Sequence, residues 1–194
     1  VKKETDDCCS IAFEVPEQLA SNYVFIQGQY LTLKTMIGGE EVRRSYSICT
    51  SPLDKDLRVA IKQIDNGKFS TYANHSLKKG DILDVMTPTG NFNTELNPAN
   101  EKHYVAFAVG SGITPILSIM KTVFKKEPKS QFTLFYGNKN TGSIIFKEQI
   151  EALKNVYTRR LSVHYFLTRE ALDEPLMNGR IDKEKCNIIF DKLL

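Results

Sequence analysis

Two short segments of the chain combine residue types that suit a phosphate-bearing aromatic ligand. Arg44-Ser45-Tyr46-Ser47 offers a guanidinium, a phenol ring and small hydroxyls, and Gly110-Ser111-Gly112-Ile113-Thr114-Pro115 follows far downstream. On an extended strand, successive side chains alternate between faces, so Arg44 and Tyr46 are expected to share one face while Ser47 points away. Arg44 could then take phosphate oxygens and Tyr46 could stack on a ring system. A four-residue motif also recurs by accident, and an ordinary strand end is the alternative.

The glycine segment has the composition of a phosphate-binding turn. It follows a continuous apolar run at residues 104–109, which predicts a strand buried on both faces, and it precedes a helical pattern at residues 113–126. Gly110 and Gly112 would let the backbone approach a phosphate, and the helix N-terminus would offer free N–H groups. Pro115 fits the first helical turn. A tight strand-to-helix connection without any ligand explains the same residues as well.

A second glycine turn, Asn66-Gly67-Lys68-Phe69-Ser70-Thr71, runs into a helix predicted at residues 70–77. The backbone N–H groups of Lys68 and Phe69, with the Ser70 hydroxyl, would face the same phosphates as Arg44. The alternative is a hairpin turn followed by a Ser or Thr helix cap.

The composition is that of an ordinary globular protein. The 194 residues are 41% apolar and 25% charged, with a formal net charge of +3. This charge does not argue for nucleic acid or an acidic membrane, although it is compatible with an anionic nucleotide. No run of about 20 apolar residues predicts a membrane span. Because Cys8, Cys9, Cys49 and Cys186 lack the spacing of a metal site, we expect reduced thiols, no metal and a cytoplasmic protein.

The pattern of elements changes near residue 100. Before it, short strands separated by turn residues are predicted at residues 9–15, 30–36, 42–50, 56–64 and 82–87. Strands at such short intervals indicate an antiparallel β-barrel domain over residues 1–98, interrupted by the helix at residues 70–77.

The second half alternates strand and helix. Strands are predicted at residues 104–109, 132–136 and 161–167, and helices at residues 113–126, 144–153 and 183–194. This alternation predicts a parallel sheet, and hence an α/β nucleotide-binding domain over residues 99–194. Three parallel strands leave the sheet with an open side, so we expect a truncated domain that is incomplete at its C-terminus.

Three loops are predicted at one edge of that sheet. Gly110, Tyr136-Gly137-Asn138 and Thr168-Arg169 each follow a strand directly. Ligands of open parallel sheets bind beyond the carboxyl ends of the strands, so these loops predict one nucleotide site. The chain lacks the complete six-residue dinucleotide fingerprint, and Thr168-Arg169 is also compatible with an exposed strand end.

Taken in order, the motifs resemble those of the ferredoxin-NADP reductase superfamily over nearly all of the chain. The shared features are Arg44-x-Tyr46-Ser47, Gly67-x-x-Ser70, Pro88-x-Gly90-x-Phe92 and the glycine turn into a helix. The chain looks most like the oxygenase reductases, the branch that includes the reductase component of bacterial phenylacetyl-CoA epoxygenase. The resemblance implies an FAD domain, an NAD(P) domain, and an enzyme passing electrons from NAD(P)H through FAD to an iron-sulfur centre or oxygenase partner.

The resemblance also implies roles for individual residues. Arg44 would hold the FAD pyrophosphate, Tyr46 would lie against the isoalloxazine, and Ser47 would hydrogen-bond near flavin N5, the atom that accepts hydride. Ser47 and Thr114 are thus the expected catalytic residues, at the border of flavin and nicotinamide. Further FAD contacts would come from Ala60, Ile61, Lys62, Gly67, Lys68, Phe69 and Ser70. The nicotinamide nucleotide would meet Gly110, Ser111, Gly112, Thr114, Pro115, Tyr136, Gly137, Asn138, Thr168 and Arg169.

The cofactor expectations follow from the same resemblance. Thr168-Arg169 corresponds to a Ser-Arg pair that meets the 2'-phosphate of NADPH, which favours NADPH over NADH. Family members continue into a Cys-Gly-Pro strand, and oxygenase reductases then carry a ferredoxin domain with four cysteine ligands. The sequence contains neither, so a [2Fe-2S] centre is expected only in a missing C-terminal domain, and this fragment by itself is a poor candidate for hydride transfer.

Two other functions stay open from the sequence. One is a non-catalytic FAD-binding electron-transfer or regulatory subunit of the same fold. The other is a sugar- or lipid-handling β-barrel fused to an unrelated α/β domain.

Overall fold

The computed structural model describes residues 1–194 and contains nine strands and four α-helices. The strands are β1 (Lys2–Thr5), β2 (Cys8–Phe13), β3 (Tyr30–Ile37), β4 (Glu40–Ser47), β5 (Leu57–Lys62), β6 (Asp84–Val85), β7 (His103–Val109), β8 (Gln131–Asn138) and β9 (Leu161–Leu167). The helices are α1 (Lys68–His75), α2 (Ile113–Lys126), α3 (Lys147–Val156) and α4 (Lys183–Lys192). None of these helices is both long enough and apolar enough to cross a membrane.

The first half consists of two antiparallel sheets around one apolar core. Their strand orders are β1-β2-β5 and β4-β3-β6, and a bridge between Ile48 and Val59 joins them. Both sheets and α1 contribute to the core, with Leu31, Val59 and Phe69 fully buried. The predicted antiparallel first half with one helix is therefore confirmed. The strand predicted at residues 82–87 shrinks to β6, because only two of its residues pair with β3.

The second half is a parallel sheet of order β7-β8-β9, as the alternation predicted. The expected double burial of the first of these strands is wrong. Ala106 and Ala108 are buried, whereas Val105, Phe107 and Val109 are 40%, 39% and 69% exposed. The physical reason is that β7 lies at the edge of the sheet, and its second face is covered only in part, by contact of Phe107 with Phe190 of α4.

The predicted helix at residues 144–153 begins late, at Lys147. Residues Ile144, Ile145 and Phe146 are buried, but they belong to the loop that precedes α3, and Phe146 has a left-handed φ of 62°. Their apolar character reflects burial of that loop in the core rather than helical periodicity. In α4, Ile189 is buried, whereas the adjacent Phe190 is 60% exposed.

The two halves pack against each other over a shared apolar surface. Cys8, Cys49 and Ala60 come from the first half but belong to the core cluster of the second. The segment that connects the halves is also fixed, because the buried Glu127 carboxylate accepts hydrogen bonds from Asn97 N–H at 3.0 Å and from the Asn100 amide at 2.6 Å. This packing places the end of β4 opposite the start of α2. The division between residues 98 and 99 stays a prediction.

Candidate functional site

A groove of about 620 Å³ lies between the two halves and is lined by both. Its lining residues are Arg44, Ser45, Tyr46, Ser47, Ala60, Lys62, Ile64, Asp65, Asn66, Gly67, Lys68, Phe69, Ser70, Ser111, Gly112 and Thr114. Tyr46 and Thr114 therefore open onto the same space, although they belong to different halves. The groove joins three features that the sequence singled out separately: the end of β4, the turn before α1 and the turn before α2.

The end of β4 leaves one edge of its backbone unpaired along this groove. β3 pairs with the opposite edge, and no strand pairs with β4 on the groove side. Ile48 N–H donates to the Gln29 carbonyl at 2.9 Å, and antiparallel bonding alternates from there, so the N–H groups of Ser45 and Ser47 point away from β3. Strand alternation predicts that the Ser47 side chain points to the opposite face from Arg44 and Tyr46. Because the groove follows the strand edge, Arg44, Tyr46 and Ser47 all line it.

Tyr46 provides the aromatic wall. Its ring lies 5.6 Å from the ring of Phe69, at an interplanar angle of 40°. Burial raises the pKa of Tyr46 to about 12, an effect that the nearby Arg44 charge only partly offsets. The phenol therefore stays protonated at neutral pH. Phe69 itself is fully buried, so it supports Tyr46 from behind and presents no ring surface to a ligand.

The turn before α1 carries unpaired backbone donors. Gly67 is the residue before the helix and makes no side-chain cap. The Ser70 hydroxyl accepts from Ile64 N–H and donates to the Gly67 carbonyl, both at 3.2 Å, which closes the turn on itself. The N–H groups of Lys68, Phe69 and Ser70 have no protein acceptor. Three free donors at a helix N-terminus form a favourable place for an anion.

The charges along the groove favour an anion as well. Arg44, Lys62 and Lys68 line it, and Asp65 is the acidic residue among its lining residues. Lys68 pairs with Glu40, and Lys62 lies 3.5 Å from Asp7. Arg44 forms no ion pair, and its guanidinium donates to the Arg43 carbonyl at 2.6 Å. Arg44 thus keeps most of its donors free.

The turn before α2 offers open space instead of a closed loop. Gly110–Gly112 forms a single 3-10 turn, and the Ile113 N–H donates back to Gly110. A Cβ atom added at Gly112 would meet nothing within 4 Å. The Thr114 hydroxyl donates to the Ser111 carbonyl at 3.0 Å, and Thr114 is otherwise nearly buried. Backbone and small side chains thus border this end of the groove.

Several predicted residues lie outside the groove. Ile61 is buried in the first core, since it points to the opposite face from Ala60 and Lys62. Tyr136 is fully buried, and its hydroxyl donates to the Gly110 carbonyl at 2.9 Å, so it supports the turn from below. Gly110 lies in the turn before α2, and Pro115 lies in the first turn of that helix. Neither residue lines the groove.

The remaining predicted residues lie at the end of β8 and directly after β9, at the carboxyl edge of the parallel sheet. Gly137 and Asn138 are buried there, and both polar atoms of the Asn138 amide lack a partner. Thr168 and Arg169 are exposed, and their N–H groups donate to the carbonyls of Asn138 and Lys139. These residues share an edge with the glycine turn, as the sequence predicted, but they do not line the groove.

Sequence reasoning did not single out Ser45, Ile64 or Asp65, which also line the groove. Ser45 lies on the face that strand alternation turns away from Arg44 and Tyr46, so the pattern does not predict it in the site. Ile64 and Asp65 stand immediately before the Asn66-Gly67 turn, and the 64% exposure of Ile64, an apolar side chain, is visible only in three dimensions.

Comparison with known proteins settles the family. The oxidoreductase FAD-binding domain matches residues 2–94, and the oxidoreductase NAD-binding domain matches residues 107–192. The chain belongs to the ferredoxin-NADP reductase family. Among curated members, it is 45% identical to a subunit of the 1,2-phenylacetyl-CoA epoxidase of Escherichia coli, over 100% of this chain and 54% of that protein. It is 34% identical to the ferredoxin reductase component of the 3-ketosteroid-9-alpha-monooxygenase of Rhodococcus rhodochrous, over 86% of this chain and 47% of that one.

Solved structures agree on the fold of this family member. A ferredoxin NADP+ reductase from Neisseria gonorrhoeae with bound FAD and NADP superposes with a TM-score of 0.77 at 22% identity, covering 97% of this chain and 73% of that one. The CS-b5R domains of human Ncb5or give a TM-score of 0.80 at 24% identity, covering 100% and 56%. The predicted two-domain architecture, antiparallel then parallel, is therefore confirmed. The chain spans about half the length of the curated relatives that it matches.

Proposed function

We propose that this protein is the reductase of an oxygenase system and passes electrons from NAD(P)H through FAD to a protein acceptor. The observation that carries the proposal is the groove shared by both halves, where the free edge of β4, the donors of α1 and the open glycine turn of α2 meet. An anionic dinucleotide with a flat ring system needs positive charge, backbone donors and an aromatic wall together. The groove supplies all three.

In this proposal, the first half holds FAD. Arg44 and the N–H groups of Lys68, Phe69 and Ser70 bind its pyrophosphate, because they are free donors on one groove wall. Tyr46 lies against the isoalloxazine. The N–H groups of Ser45 and Ser47 lie along the unpaired edge of β4 and are available to the edge of the ring. When bound, FAD supplies two-electron acceptance of hydride and one-electron release.

The second half brings the nicotinamide to that ring. Ser111, Gly112 and Thr114 border the groove opposite β4, and Ser47 and Thr114 keep their proposed roles at the meeting point of the two rings. Thr168 and Arg169 stand at the same sheet edge, and Arg169 has no acidic partner within this chain. A free guanidinium there suits a 2'-phosphate, so we propose NADPH in preference to NADH.

The acceptor is proposed to be an oxygenase, reached directly or through a [2Fe-2S] centre carried outside these residues. This part follows the relatives, which are named as a subunit of an epoxidase and as the reductase component of a monooxygenase. We place the reaction in the cytoplasm, where free thiols such as Cys8, Cys9 and Cys49 stay reduced.

The test begins with FAD affinity. Arg44→Ala should weaken FAD binding by about 1.5 to 3 kcal/mol, the range for hydrogen bonds to charged groups. Arg43→Ala is the matched control, because Arg43 is the neighbouring residue, pairs with Glu41 and does not line the groove. Isothermal titration with FAD measures both variants. Equal affinities for the two variants would remove Arg44 from the site.

The second measurement is anaerobic addition of NADPH or NADH to the FAD-loaded protein. The proposal expects loss of the oxidised flavin absorbance, at lower concentrations of NADPH than of NADH. FAD binding without any bleaching would instead support a non-catalytic FAD-binding subunit. The exclusion of Tyr136, Asn138, Thr168 and Arg169 from the groove is the observation that keeps this second function open.

A further inference from the structure

A buried polar contact joins α2 to the segment that follows β4. The Ser118 hydroxyl donates to the Thr50 carbonyl at 2.6 Å, and the hydroxyls of Thr122 and Ser51 share a hydrogen bond of 2.9 Å. Thr50 is 4% exposed, and Ser51, Ser118 and Thr122 are fully buried. Polar groups are costly to bury unless they are paired, so these bonds specify one arrangement of the two halves.

An ion-pair cluster completes the contact. The Asp54 carboxylate accepts from Lys121, from Lys125 and from Ser51 N–H, the last at 3.0 Å. The side chains of Lys121 and Asp54 are only 13% and 15% exposed. We call Ser51, Asp54, Ser118, Lys121, Thr122 and Lys125 the Asp54 latch.

The spacing of the latch residues on α2 matters. Residues 118, 121, 122 and 125 stand at i, i+3, i+4 and i+7, so they form one stripe along two turns of the helix. Hydrogen bonds are directional, so these contacts are lost when donor and acceptor move out of line. A rotation of α2, or a shift by one turn of about 5.4 Å, would break the bonds that Ser118, Thr122 and the two lysines make with the segment after β4. The latch thus fixes both the rotation and the position of α2.

The two segments joined by the latch, residues 50–54 and α2, each lie next in the chain to residues that line the groove. Thr50 to Asp54 begin three residues after Ser47, and α2 starts at the turn that carries Ser111 and Thr114. We propose that the Asp54 latch sets the separation between Ser47 and the glycine turn, and that Asp54 and Thr122 are positioning residues for hydride transfer. The role in hydride transfer rests on the function proposed above. The role in fixing α2 does not.

The first test therefore needs no cofactor. Hydrogen exchange is followed at two protected amides beside the groove: Cys49 N–H, which donates to Arg58, and Ile113 N–H, which donates to Gly110. In Thr122→Val and Asp54→Asn, exchange at both amides should quicken by about 5- to 10-fold, the scale for loss of one hydrogen bond. Glu101→Gln is the control, since the Glu101–Lys129 pair is 73% and 67% exposed and lies outside the latch. Unchanged exchange at both amides in both latch variants would overturn the proposal.

The second test uses the FAD-loaded protein in stopped flow. Misplacement of reacting groups by a remote substitution slows transfer by up to about 100-fold, so flavin reduction by NADPH should slow at least several-fold in both latch variants. FAD affinity should change less than about twofold, because the FAD-binding wall belongs to the first half. Thr122→Ser, which keeps the hydroxyl, should restore the rate. Reduction at the wild-type rate in both variants would contradict positioning. If wild-type protein is not bleached at all, the proposed function fails, and the exchange measurement still decides whether the latch exists.

Discussion

Two helices begin at glycine turns on the same groove, and their turns are built in opposite ways. A Cβ atom at Gly67, before α1, would clash with the Ser70 hydroxyl and lie 2.5 Å from an Ile64 side-chain carbon. A Cβ atom at Gly112, before α2, would meet nothing within 4 Å. The first turn is closed, and it needs glycine because neighbouring atoms of the protein fill the space of a Cβ atom. The second turn is open to solvent on that side, because Gly112 is exposed. One wall is thus preformed, and the other is kept clear.

The largest effect is expected from Gly67→Ala, which tests whether the closed turn before α1 binds FAD. The new methyl must displace the Ser70 hydroxyl, which leaves the Ile64 N–H without its acceptor and disturbs the free donors of Lys68 and Phe69. We expect FAD binding to weaken by about 1.5 to 3 kcal/mol, the range for hydrogen bonds to a charged group, because the disturbed donors are those proposed to meet the pyrophosphate. Fluorescence titration of FAD measures it. FAD affinity equal to that of the wild type would show that this turn does not contact FAD.

A smaller effect is expected from Tyr136→Phe. This substitution removes the 2.9 Å hydrogen bond that supports the Gly110 carbonyl, while the ring stays buried. The free energy of unfolding should fall by about 0.5 to 1.5 kcal/mol, with FAD affinity unchanged because Tyr136 does not line the groove. Urea denaturation and FAD titration together check this. A weakened FAD affinity without a loss of stability would mean that Tyr136 contacts the cofactor after all.

Gly112→Ala should raise the free energy of unfolding, whereas Tyr136→Phe lowers it. Gly112 has an ordinary helical φ of −61°, so alanine fits, and the unfolded chain loses conformational freedom. We expect a gain of about 0.4 to 1 kcal/mol in the free energy of unfolding, together with weaker binding of NADPH because the methyl occupies the cleared space. Thermal unfolding and NADP+ titration of the same preparation separate the two effects. A variant that is more stable and binds NADP+ as well as the wild type would show that no ligand uses this space.

The smallest expected effect concerns acid stability of the Asp54 latch. Burial alone would raise the pKa of Asp54, but the hydrogen bonds from Lys121 and Lys125 outweigh it and hold the pKa below its ordinary value of 3.8. A depressed carboxyl pKa contributes stability above the unfolded value and loses it as the pH falls through the folded value. In Asp54→Asn, the free energy of unfolding should therefore fall less steeply below about pH 4 than it does in the wild type. Urea denaturation between pH 6 and roughly pH 2.5 measures this, and identical acid profiles would contradict it.

The sequence pattern predicts most of the strands and helices, and it predicts most residues of the turn before α1. The bounds of α2 were predicted to the residue, since a glycine turn precedes it and helical periodicity runs through it. The burial of residues 104–109 was not predictable, because an apolar run cannot report whether its strand lies inside or at the edge of a sheet. The helix predicted at residues 144–153 includes the buried loop at residues 144–146, since a short apolar run does not distinguish a buried loop from a helix.

Within the site, strand alternation predicts the face on which a side chain lies, but not which strand edge the groove follows. Alternation placed Ser47 away from Arg44 and Tyr46, whereas the groove follows the backbone edge of β4 and includes Ser45 as well. Which edge of a strand stays unpaired depends on its neighbours in the sheet, and a single sequence does not contain that information. The burial of the Asn138 amide is likewise not predictable, since its position at the end of β8 gives no sign that the fold encloses it.

A crystal structure of the protein with FAD and NADP+ would show directly whether the groove is the cofactor site. We predict the isoalloxazine against Tyr46, the FAD phosphates within hydrogen-bond distance of Arg44 and the Lys68 N–H, and NADP+ against Ser111 and Gly112. FAD bound away from the β4 edge, or an NADP+ molecule that leaves the glycine turn empty, would contradict this prediction.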